Sequence, residues 1–358
     1  MNKTILIIGA GGFIGGFIAK KALELGYDTW VGIRSTTSRK YLDDERLHIV
    51  EFDYDNAESV GETLRNSCPP AGKWDDIIWN LGATKCPNFA DFNRINYIYL
   101  KDFVGQLLAL DMAPERFLFV SSLSALGPGD EKGYTPLNAR TIPSPNTRYG
   151  VSKIKAETYL DSITSQLNWI IFRPTGVYGP REKDYLMMIK SIDSGWDVGM
   201  GYKKQMLTFV YVEDLVDAMF KALEAPLEAV NHRKYIISED KAYSQKEFRD
   251  IVGTFLGKKV VVPVKFPMWV VYGVSTVAEK IAAFRGKAST LNRDKFKIMK
   301  QRNWNCDIAE ARRDFGFEPR WNLKDGVKET VIAYLSEKKK TSPEQIRDEM
   351  ERRLNLKS

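Results

Sequence analysis

Tyr149 and Lys153 lie four residues apart in a stretch with the pattern of a helix, so their side chains share one face. A phenol with a pKa of about 10 is a poor proton carrier at neutral pH, but a neighbouring ammonium group lowers that pKa. The pair could therefore move a proton to or from an alcohol or carbonyl oxygen. The same Tyr-x-x-x-Lys spacing recurs at Tyr97 and Tyr334, so spacing alone does not select the site.

The surrounding sequence selects the middle pair. Ser121 and Ser122 end the predicted strand Phe117–Ser121, and ligands gather at the carboxyl ends of strands in parallel sheets. The segment Arg173–Arg181, which reads RPTGVYGPR, follows the Tyr149 helix. A serine hydroxyl near Tyr149 could orient the same substrate oxygen by a hydrogen bond.

A glycine-rich segment directly follows the first predicted strand, Thr4–Ile8, and opens the first predicted helix. Glycines at such a junction let the backbone approach a pyrophosphate, and the helix N-terminus favours the anion. The spacing is Gly-x-x-Gly-x-x-Gly at its core, a dinucleotide signature at this position. The predicted cofactor contacts here are Gly9, Gly11, Gly12, Phe13, Ile14 and Gly15.

The end of the second predicted strand indicates which dinucleotide binds. An acidic residue there would hold the ribose 2′-hydroxyl of NAD, but this chain has Arg34 and Ser35. A guanidinium can grip a 2′-phosphate, so the sequence favours NADP and leaves NAD open. Asp53 and Tyr54, after the third predicted strand, are candidates for contact with the adenine.

Composition excludes several other classes of protein. The 358 residues carry 53 basic and 46 acidic side chains, a net charge of +7, and the basic residues are scattered, so no nucleic-acid partner is predicted. Three cysteines without a Cys-x-x-Cys pair suit a reducing compartment, and two distant histidines predict no metal site. We expect a cytoplasmic protein, because the start of the chain has no signal-peptide pattern and the uncharged stretch Phe266–Ala278 is too short to span a bilayer. Peripheral contact with a membrane stays open.

Alternating strand and helix patterns predict an α/β fold with a Rossmann-type, doubly wound parallel sheet. We expect a dinucleotide-binding domain from residues 1–172 and 206–240, a smaller mixed substrate domain from 173–205 and 241–335, and a charged helical tail over 336–358. In the tail, Ile346, Met350 and Leu354 share one face of a helix that begins at Pro343. The predicted strands and longer helices are Thr4–Ile8, Thr29–Ile33, Leu47–Phe52, Asp76–Leu81, Phe117–Ser121 and Asn168–Phe172, and Asn93–Leu110 and Tyr149–Ile163.

Together the segments GAGGFIG, FVSSLSALG, YGVSK, RPTGVYGPR and LTFVYVEDLVDA resemble the extended short-chain dehydrogenases/reductases of the NAD-dependent epimerase/dehydratase superfamily. The resemblance runs from Lys3 to about Leu335. It implies that Ser122, Tyr149 and Lys153 are catalytic, that Lys153 also holds the nicotinamide ribose, and that the protein forms a homodimer. It further implies cofactor contacts from Leu81, Gly82 and Ala83, and from Pro174, Thr175, Gly176 and Val177.

The same resemblance bears on the reaction. Dehydratases of the superfamily carry a carboxylate just after the position of Ser122, where this chain has Leu123 and Ser124, so dehydration is not expected. Sugar-nucleotide epimerases carry an arginine near Leu207, and its absence points away from nucleotide sugars. Phe266–Ala278, Leu291–Lys295 and Trp304–Asp307 resemble 3β-hydroxysteroid dehydrogenases and dihydroflavonol reductases.

The sequence therefore predicts an oxidoreductase that acts on a secondary alcohol or ketone of a fairly apolar, steroid-like or flavonoid-like small molecule. Two alternatives stay open: a nucleotide-sugar 4-epimerase with bound NAD, and a non-enzymatic module that senses NADP. The predicted substrate contacts are Thr84, Ser124, Tyr178, Leu207, Trp269 and Tyr272.

Overall fold

The computed structural model of the chain describes residues 2–284 and 293–355. Leu291 and Asn292, in one of the segments that resemble steroid dehydrogenases, lie outside the described residues. Among the described helices, none combines the length and the apolar character needed to cross a bilayer.

The strands are β1 (Thr4–Ile8), β2 (Asp28–Ile33), β3 (Leu47–Glu51), β4 (Asp76–Trp79), β5 (Arg116–Val120), β6 (Trp169–Pro174), β7 (Gly176–Tyr178), β8 (Trp196–Met200), β9 (Leu207–Tyr211), β10 (Arg233–Ile237), β11 (Ala242–Tyr243) and β12 (Val262–Phe266). The α-helices are α1 (Phe13–Glu24), α2 (Ala57–Ser67), α3 (Phe89–Asn93), α4 (Tyr99–Ala109), α5 (Arg148–Ser162), α6 (Asp184–Asp193), α7 (Val212–Glu224), α8 (Leu227–Val230), α9 (Gln245–Leu256), α10 (Met268–Phe284), α11 (Arg293–Lys300), α12 (Ala309–Phe315), α13 (Leu323–Lys339) and α14 (Pro343–Asn355). A π-helical turn, Arg94–Ile98, joins α3 to α4, and a short 3-10 turn spans Leu123–Ala125.

Seven parallel strands form the main sheet in the order β10-β6-β5-β4-β1-β2-β3. The order reverses beside β1, which defines a doubly wound sheet, so the predicted Rossmann-type fold is confirmed. The inner strands β1, β4 and β5 are mostly apolar and buried because helices cover both faces of the sheet. β10 is the seventh strand, whereas β9 pairs with β7 and β11 in a separate three-stranded sheet.

A smaller region packs beside the main sheet around a third apolar cluster, which includes Phe209, Phe248 and Val331. In the tail, α14 begins at Pro343, and Ile346 and Met350 are buried in that cluster, so the tail helix packs on the body of the protein. The division into two domains at residues 172, 206 and 240 stays a prediction.

Candidate functional site

The predicted site residues lie along one edge of the main sheet, where its parallel strands end. Gly9 follows β1 and Thr175 follows β6, while Leu81 and Ser122 lie two residues past the ends of β4 and β5. β1 and β4 are adjacent at the place where the strand order reverses. Crevices at this position bind ligands in open α/β sheets.

The junction of β1 and α1 has space only for glycine at two positions, one in the loop and one in the first turn of the helix. Gly9 has φ +83°, and a Cβ atom there would lie 2.8 Å from the backbone nitrogen of Leu81. A Cβ atom at Gly15 would lie 2.3 Å from the carbonyl oxygen of Gly9. Gly12 caps α1 without a side-chain hydrogen bond, so the first helical N–H groups are not capped by a side chain. This geometry fits the pyrophosphate of a dinucleotide.

Arg34 and Ser35 are exposed directly after β2, where a side chain that binds a 2′-phosphate would be needed. The backbone N–H of Arg34 donates to Thr37 Oγ1 at 3.2 Å, which shapes the turn. Asp53 is exposed as well, whereas the ring of Tyr54 is buried and stacks on Phe52. Contact between Tyr54 and an adenine would therefore have to come from its backbone.

The hydroxyl groups of Ser122 and Tyr149 meet at the end of β5. The Ser122 hydroxyl is close enough to act on the pKa of Tyr149, and Ser122 Oγ accepts the backbone N–H of Ser124 at 3.2 Å. Burial raises the pKa of Tyr149, and the Ser122 hydroxyl counteracts part of that rise. The arrangement could present two hydroxyl groups to one substrate oxygen.

Lys153 is buried one turn after Tyr149 on α5. Its Nζ donates to the carbonyl oxygen of Val120 at 2.9 Å and lies 4.9 Å from the centre of the Phe119 ring. A Cβ atom at Gly82 would lie 2.9 Å from Nζ, so glycine at this position leaves room for the ammonium group. Burial lowers the pKa of Lys153 to about 8, although Glu157 acts in the opposite direction.

Asn96 is a buried site residue that the sequence analysis missed. Its Nδ2 donates to the carbonyl oxygen of Ala83 at 3.0 Å and to Ser152 Oγ at 2.9 Å, and its Oδ1 accepts the Ala83 N–H at 2.7 Å. These bonds fasten the Gly82–Ala83 loop to α5, the helix that carries Tyr149. Asn96 lies in the π-helical turn, and such turns are frequent at functional sites. An asparagine inside an otherwise apolar helical stretch was the available signal.

A buried ion pair supports α5 one turn beyond Lys153. Arg173 Nη2 and Glu157 Oε2 lie 2.5 Å apart, and both side chains are buried. Ser121 Oγ donates to the other carboxylate oxygen of Glu157 at 2.5 Å. These contacts join β5, α5 and β6 beneath the catalytic candidates, so the pair can hold Lys153 in place.

The loop after β6 is held close to β10. The Thr175 N–H donates to the carbonyl oxygen of Ile237 at 3.1 Å. A Cβ atom at Gly176 would lie 2.0 Å from the hydroxyl oxygen of Tyr185, so this position also requires glycine. Pro174 ends β6, and Val177 pairs with Val210 of β9.

Helix α11 contacts the start of α5, which places a late segment of the chain beside Tyr149. Asp294 Oδ2 accepts the backbone N–H of Tyr149 at 3.3 Å. Lys297 Nζ donates to the carbonyl oxygen of Asn146 at 2.7 Å, and Gln301 Nε2 donates to its side-chain oxygen at 2.9 Å. Burial raises the pKa of Asp294.

The predicted substrate contacts lie in different surroundings. Thr84 is exposed and Ser124 is half-buried near the ends of β4 and β5. Tyr178 is fully buried, and its hydroxyl donates to the carbonyl oxygen of Asn322 at 3.3 Å, so its side chain packs the third apolar cluster instead of facing a substrate. Leu207 is half-buried against the same cluster.

The two aromatic candidates on α10 are turned outward. Trp269 is 78% exposed and Tyr272 is 48% exposed. The Tyr272 ring packs edge-on against Phe296 of α11, with the ring centres 5.4 Å apart. Most of the Trp269 indole therefore faces solvent.

Comparison with known families identifies the class of protein. Residues 5–238 match the family described as NAD dependent epimerase/dehydratase family. This match covers more than half of the chain. The chain therefore belongs to the NAD dependent epimerase/dehydratase family, an enzyme family, as the sequence analysis predicted.

Several individual proteins are similar over nearly their whole length. UDP-glucose 4-epimerase of Vibrio cholerae is 24% identical and aligns over 94% of this chain and 96% of its own. dTDP-glucose 4,6-dehydratase of Neisseria gonorrhoeae is 23% identical and aligns over 94% of this chain and 97% of its own. The predicted position near 3β-hydroxysteroid dehydrogenases and dihydroflavonol reductases is not confirmed, because these relatives carry the names of nucleotide-sugar enzymes.

Solved structures show the same fold. UDP-glucose 4-epimerase of Thermotoga maritima, solved with UDP-glucose, superposes with a TM-score of 0.73 at 19% identity, over 93% of this chain and 99% of that one. UDP-glucose 4-epimerase of Thermus thermophilus, solved with NAD, gives a TM-score of 0.73 at 17% identity, over 93% and 99%.

We expect Lys153→Met to flatten the pH dependence of the unfolding free energy in the protein without dinucleotide. Between about pH 8 and pH 10 an unfolded lysine is protonated while buried Lys153 loses its proton, so this residue makes stability rise with pH. The variant lacks that contribution, which is at most about 1.4 kcal/mol per pH unit. Urea unfolding at a series of pH values measures it.

Lys155→Met is the matched control, because Lys155 is exposed on the same helix. It should keep the wild-type slope. An unchanged slope in Lys153→Met would show that Lys153 keeps an ordinary pKa in the folded protein.

Proposed function

We propose that the protein is a nucleotide-sugar 4-epimerase in which Ser122, Tyr149 and Lys153 act at one secondary hydroxyl group. The observation that carries the chemistry is that the hydroxyl groups of Ser122 and Tyr149 lie close together at the end of β5, with buried Lys153 one turn away on α5. These groups lie at the same edge of the sheet as the glycine-rich segment Gly9–Gly15, whose geometry fits the pyrophosphate of a dinucleotide. A bound nicotinamide would supply hydride acceptance and return.

Tyr149 performs the proton step in this proposal. Its phenolate accepts the proton of the substrate hydroxyl as that carbon is oxidised, and its phenol returns the proton as the carbon is reduced again. Ser122 donates a hydrogen bond to the same oxygen and so orients it. Burial raises the pKa of Tyr149, and a bound, positively charged nicotinamide would act in the opposite direction by favouring the phenolate, as would the ammonium form of Lys153.

The substrate class is supported by the relatives. UDP-glucose 4-epimerase and dTDP-glucose 4,6-dehydratase align with this chain over more than nine tenths of its length. Leu123 and Ser124 follow Ser122 without a carboxylate, which favours the epimerase over the dehydratase. This chain departs from the epimerase pattern at Leu207, where the resemblance predicts an arginine that binds the nucleotide diphosphate.

Leu207 and Arg34 favour a second candidate, a reductase of an apolar ketone that uses NADP. Burying a diphosphate without a cationic partner is costly, whereas an apolar ketone makes no such demand. Exposed Arg34 at the end of β2 favours a 2′-phosphate, and reductases consume the phosphorylated dinucleotide. The two candidates share the proton step and differ in the substrate.

A paired assay distinguishes the two candidates. We expect the protein to interconvert UDP-glucose and UDP-galactose without a net change in NADH or NADPH absorbance. Oxidation of NADPH in the presence of a steroid or flavonoid ketone, without interconversion of the sugars, would replace the epimerase by the reductase. Dinucleotide binding without turnover of the UDP-sugars or of the ketones would favour the non-enzymatic module that senses NADP.

We expect Tyr149→Phe to lower turnover by at least about 10²-fold while dinucleotide affinity stays close to that of the wild type, because the variant loses only the proton carrier. Tyr97→Phe is the matched control, since Tyr97 has the same spacing to a lysine but its ring packs edge-on against Tyr159. Steady-state rates on the active substrate measure the effect. Near wild-type turnover in Tyr149→Phe would refute the proton role.

We expect Arg34→Ala to weaken NADP(H) binding by roughly 1.5–3 kcal/mol, the range for hydrogen bonds to charged groups, and to change NAD(H) binding little. Fluorescence titration of both dinucleotides measures this. Arg39→Ala serves as the control, because Arg39 in the same loop pairs with Glu51 at 2.7 Å. Equal losses for NADP(H) and NAD(H) would rule out a 2′-phosphate contact by Arg34.

A further inference from the structure

Strands β8 and β12 form a two-stranded ribbon with an apolar outer face. They pair in parallel, with Val262 opposite Trp196 and Val264 opposite Val198. Paired residues of neighbouring strands point to the same side, so these side chains share a face with Phe266. That face is exposed, although its residues are of the kind that normally fill a core.

Helix α10 extends this face. The Gly201 N–H donates to the carbonyl oxygen of Phe266 at 3.0 Å, and the Tyr202 hydroxyl donates to that of Lys265 at 3.5 Å. A Cβ atom at Gly201 would lie 3.2 Å from Sδ of Met268, the first residue of α10, so the ribbon, the loop after β8 and the start of α10 are contiguous, and we call them the apolar face. Its main residues are between 41% and 78% exposed and are Trp196, Val198, Val262, Phe266, Trp269 and Tyr272.

The exposed charged side chains that belong to the segments of the apolar face are all basic. Within residues 194–206 and 257–278, the exposed charged residues are Lys203, Lys204, Lys259 and Lys265. Asp197, the one acidic residue in these two segments, is buried and lies 3.5 Å from Arg249. Lysines thus fringe the apolar face without an exposed carboxylate from its own segments.

This combination fits a membrane surface better than a second copy of the chain. Tryptophan and tyrosine favour the interface between lipid and water, and lysines are attracted to anionic headgroups. A symmetric dimer through this face would bring the same lysines together, and like charges across an interface are unfavourable. No spanning helix is required, because a peripheral protein inserts only its apolar side chains.

We propose that the apolar face of β8, β12 and α10 docks on the surface of a bilayer that contains anionic lipids. The proposal is independent of the substrate class, since the face lies outside the Ser122–Tyr149 pair. The apolar face is also connected to the candidate site through packing contacts. Tyr272 of the face packs on Phe296, and Asp294 on the same helix accepts the Tyr149 N–H.

The test is co-sedimentation of the full chain with vesicles in the absence of substrate. One set contains phosphatidylcholine alone, and the other contains equal parts of phosphatidylcholine and phosphatidylglycerol. We expect the protein to sediment with the anionic vesicles, to bind the neutral ones more weakly, and to be released by high salt because the lysine attraction is screened.

Two variants and one control locate the binding surface. Trp269→Glu should weaken vesicle binding by at least about tenfold, because it replaces a large apolar contact by a charge that the anionic lipids repel. The double variant Lys203→Ala/Lys204→Ala should weaken it by roughly fivefold for each lysine. Leu25→Glu, which changes a side chain that is 44% exposed after α1, should bind like the wild type.

Two results would overturn the proposal. One is that the wild type does not bind anionic vesicles, or that Trp269→Glu and Lys203→Ala/Lys204→Ala both bind them as well as the wild type does. The other is a wild-type dimer in sedimentation velocity that Trp269→Glu converts to a monomer, without vesicle binding by either protein, which would assign the face to a second copy. Because no substrate is present, failure of the epimerase proposal leaves this test unaffected.

Discussion

The hydrogen bond from Lys153 Nζ to the carbonyl oxygen of Val120 joins α5 to the end of β5, and the geometry of the site depends on it. A buried ammonium group is costly unless polar or aromatic groups surround it, and here a carbonyl oxygen and the face of Phe119 do so. The nearby Gly82 must lack a side chain for this to fit. Glu157, one turn further along α5, supplies the opposite charge and is itself held by Arg173.

Local sequence patterns predicted the buried strands of the main sheet and the glycine-rich turn after the first of them. Strands β1, β4, β5 and β6 are mostly apolar and buried, and the glycines at the junction of β1 and α1 occupy positions whose sterics exclude side chains. β10 was missed because it begins with Arg233 and Lys234, which lie at the edge of the sheet. The contacts of Asn96 and the pairing of Glu157 with Arg173 depend on tertiary packing, which no periodicity encodes.

The surroundings of the substrate-contact candidates were harder to predict than the grouping of Ser122, Tyr149 and Lys153, for a physical reason. Proton transfer needs a few groups at fixed spacing on rigid elements, and one helix supplies both Tyr149 and Lys153. Recognition instead depends on side chains from separate segments whose orientation is set by packing. Tyr178 illustrates this, because it follows the loop beside the site yet its ring turns into the third apolar cluster.

The π-helical turn at Arg94–Ile98 also affects how this chain can be aligned with others. A π turn contains one residue more than the α-helical turn it replaces, and each added residue rotates the next part of the helix by about 100°. A homologue with one residue fewer between α3 and α4 could keep both helices intact, yet it would lose the rotation that directs Asn96 towards Ala83 and Ser152. An alignment gap of a single position here would therefore mark a change in the site itself.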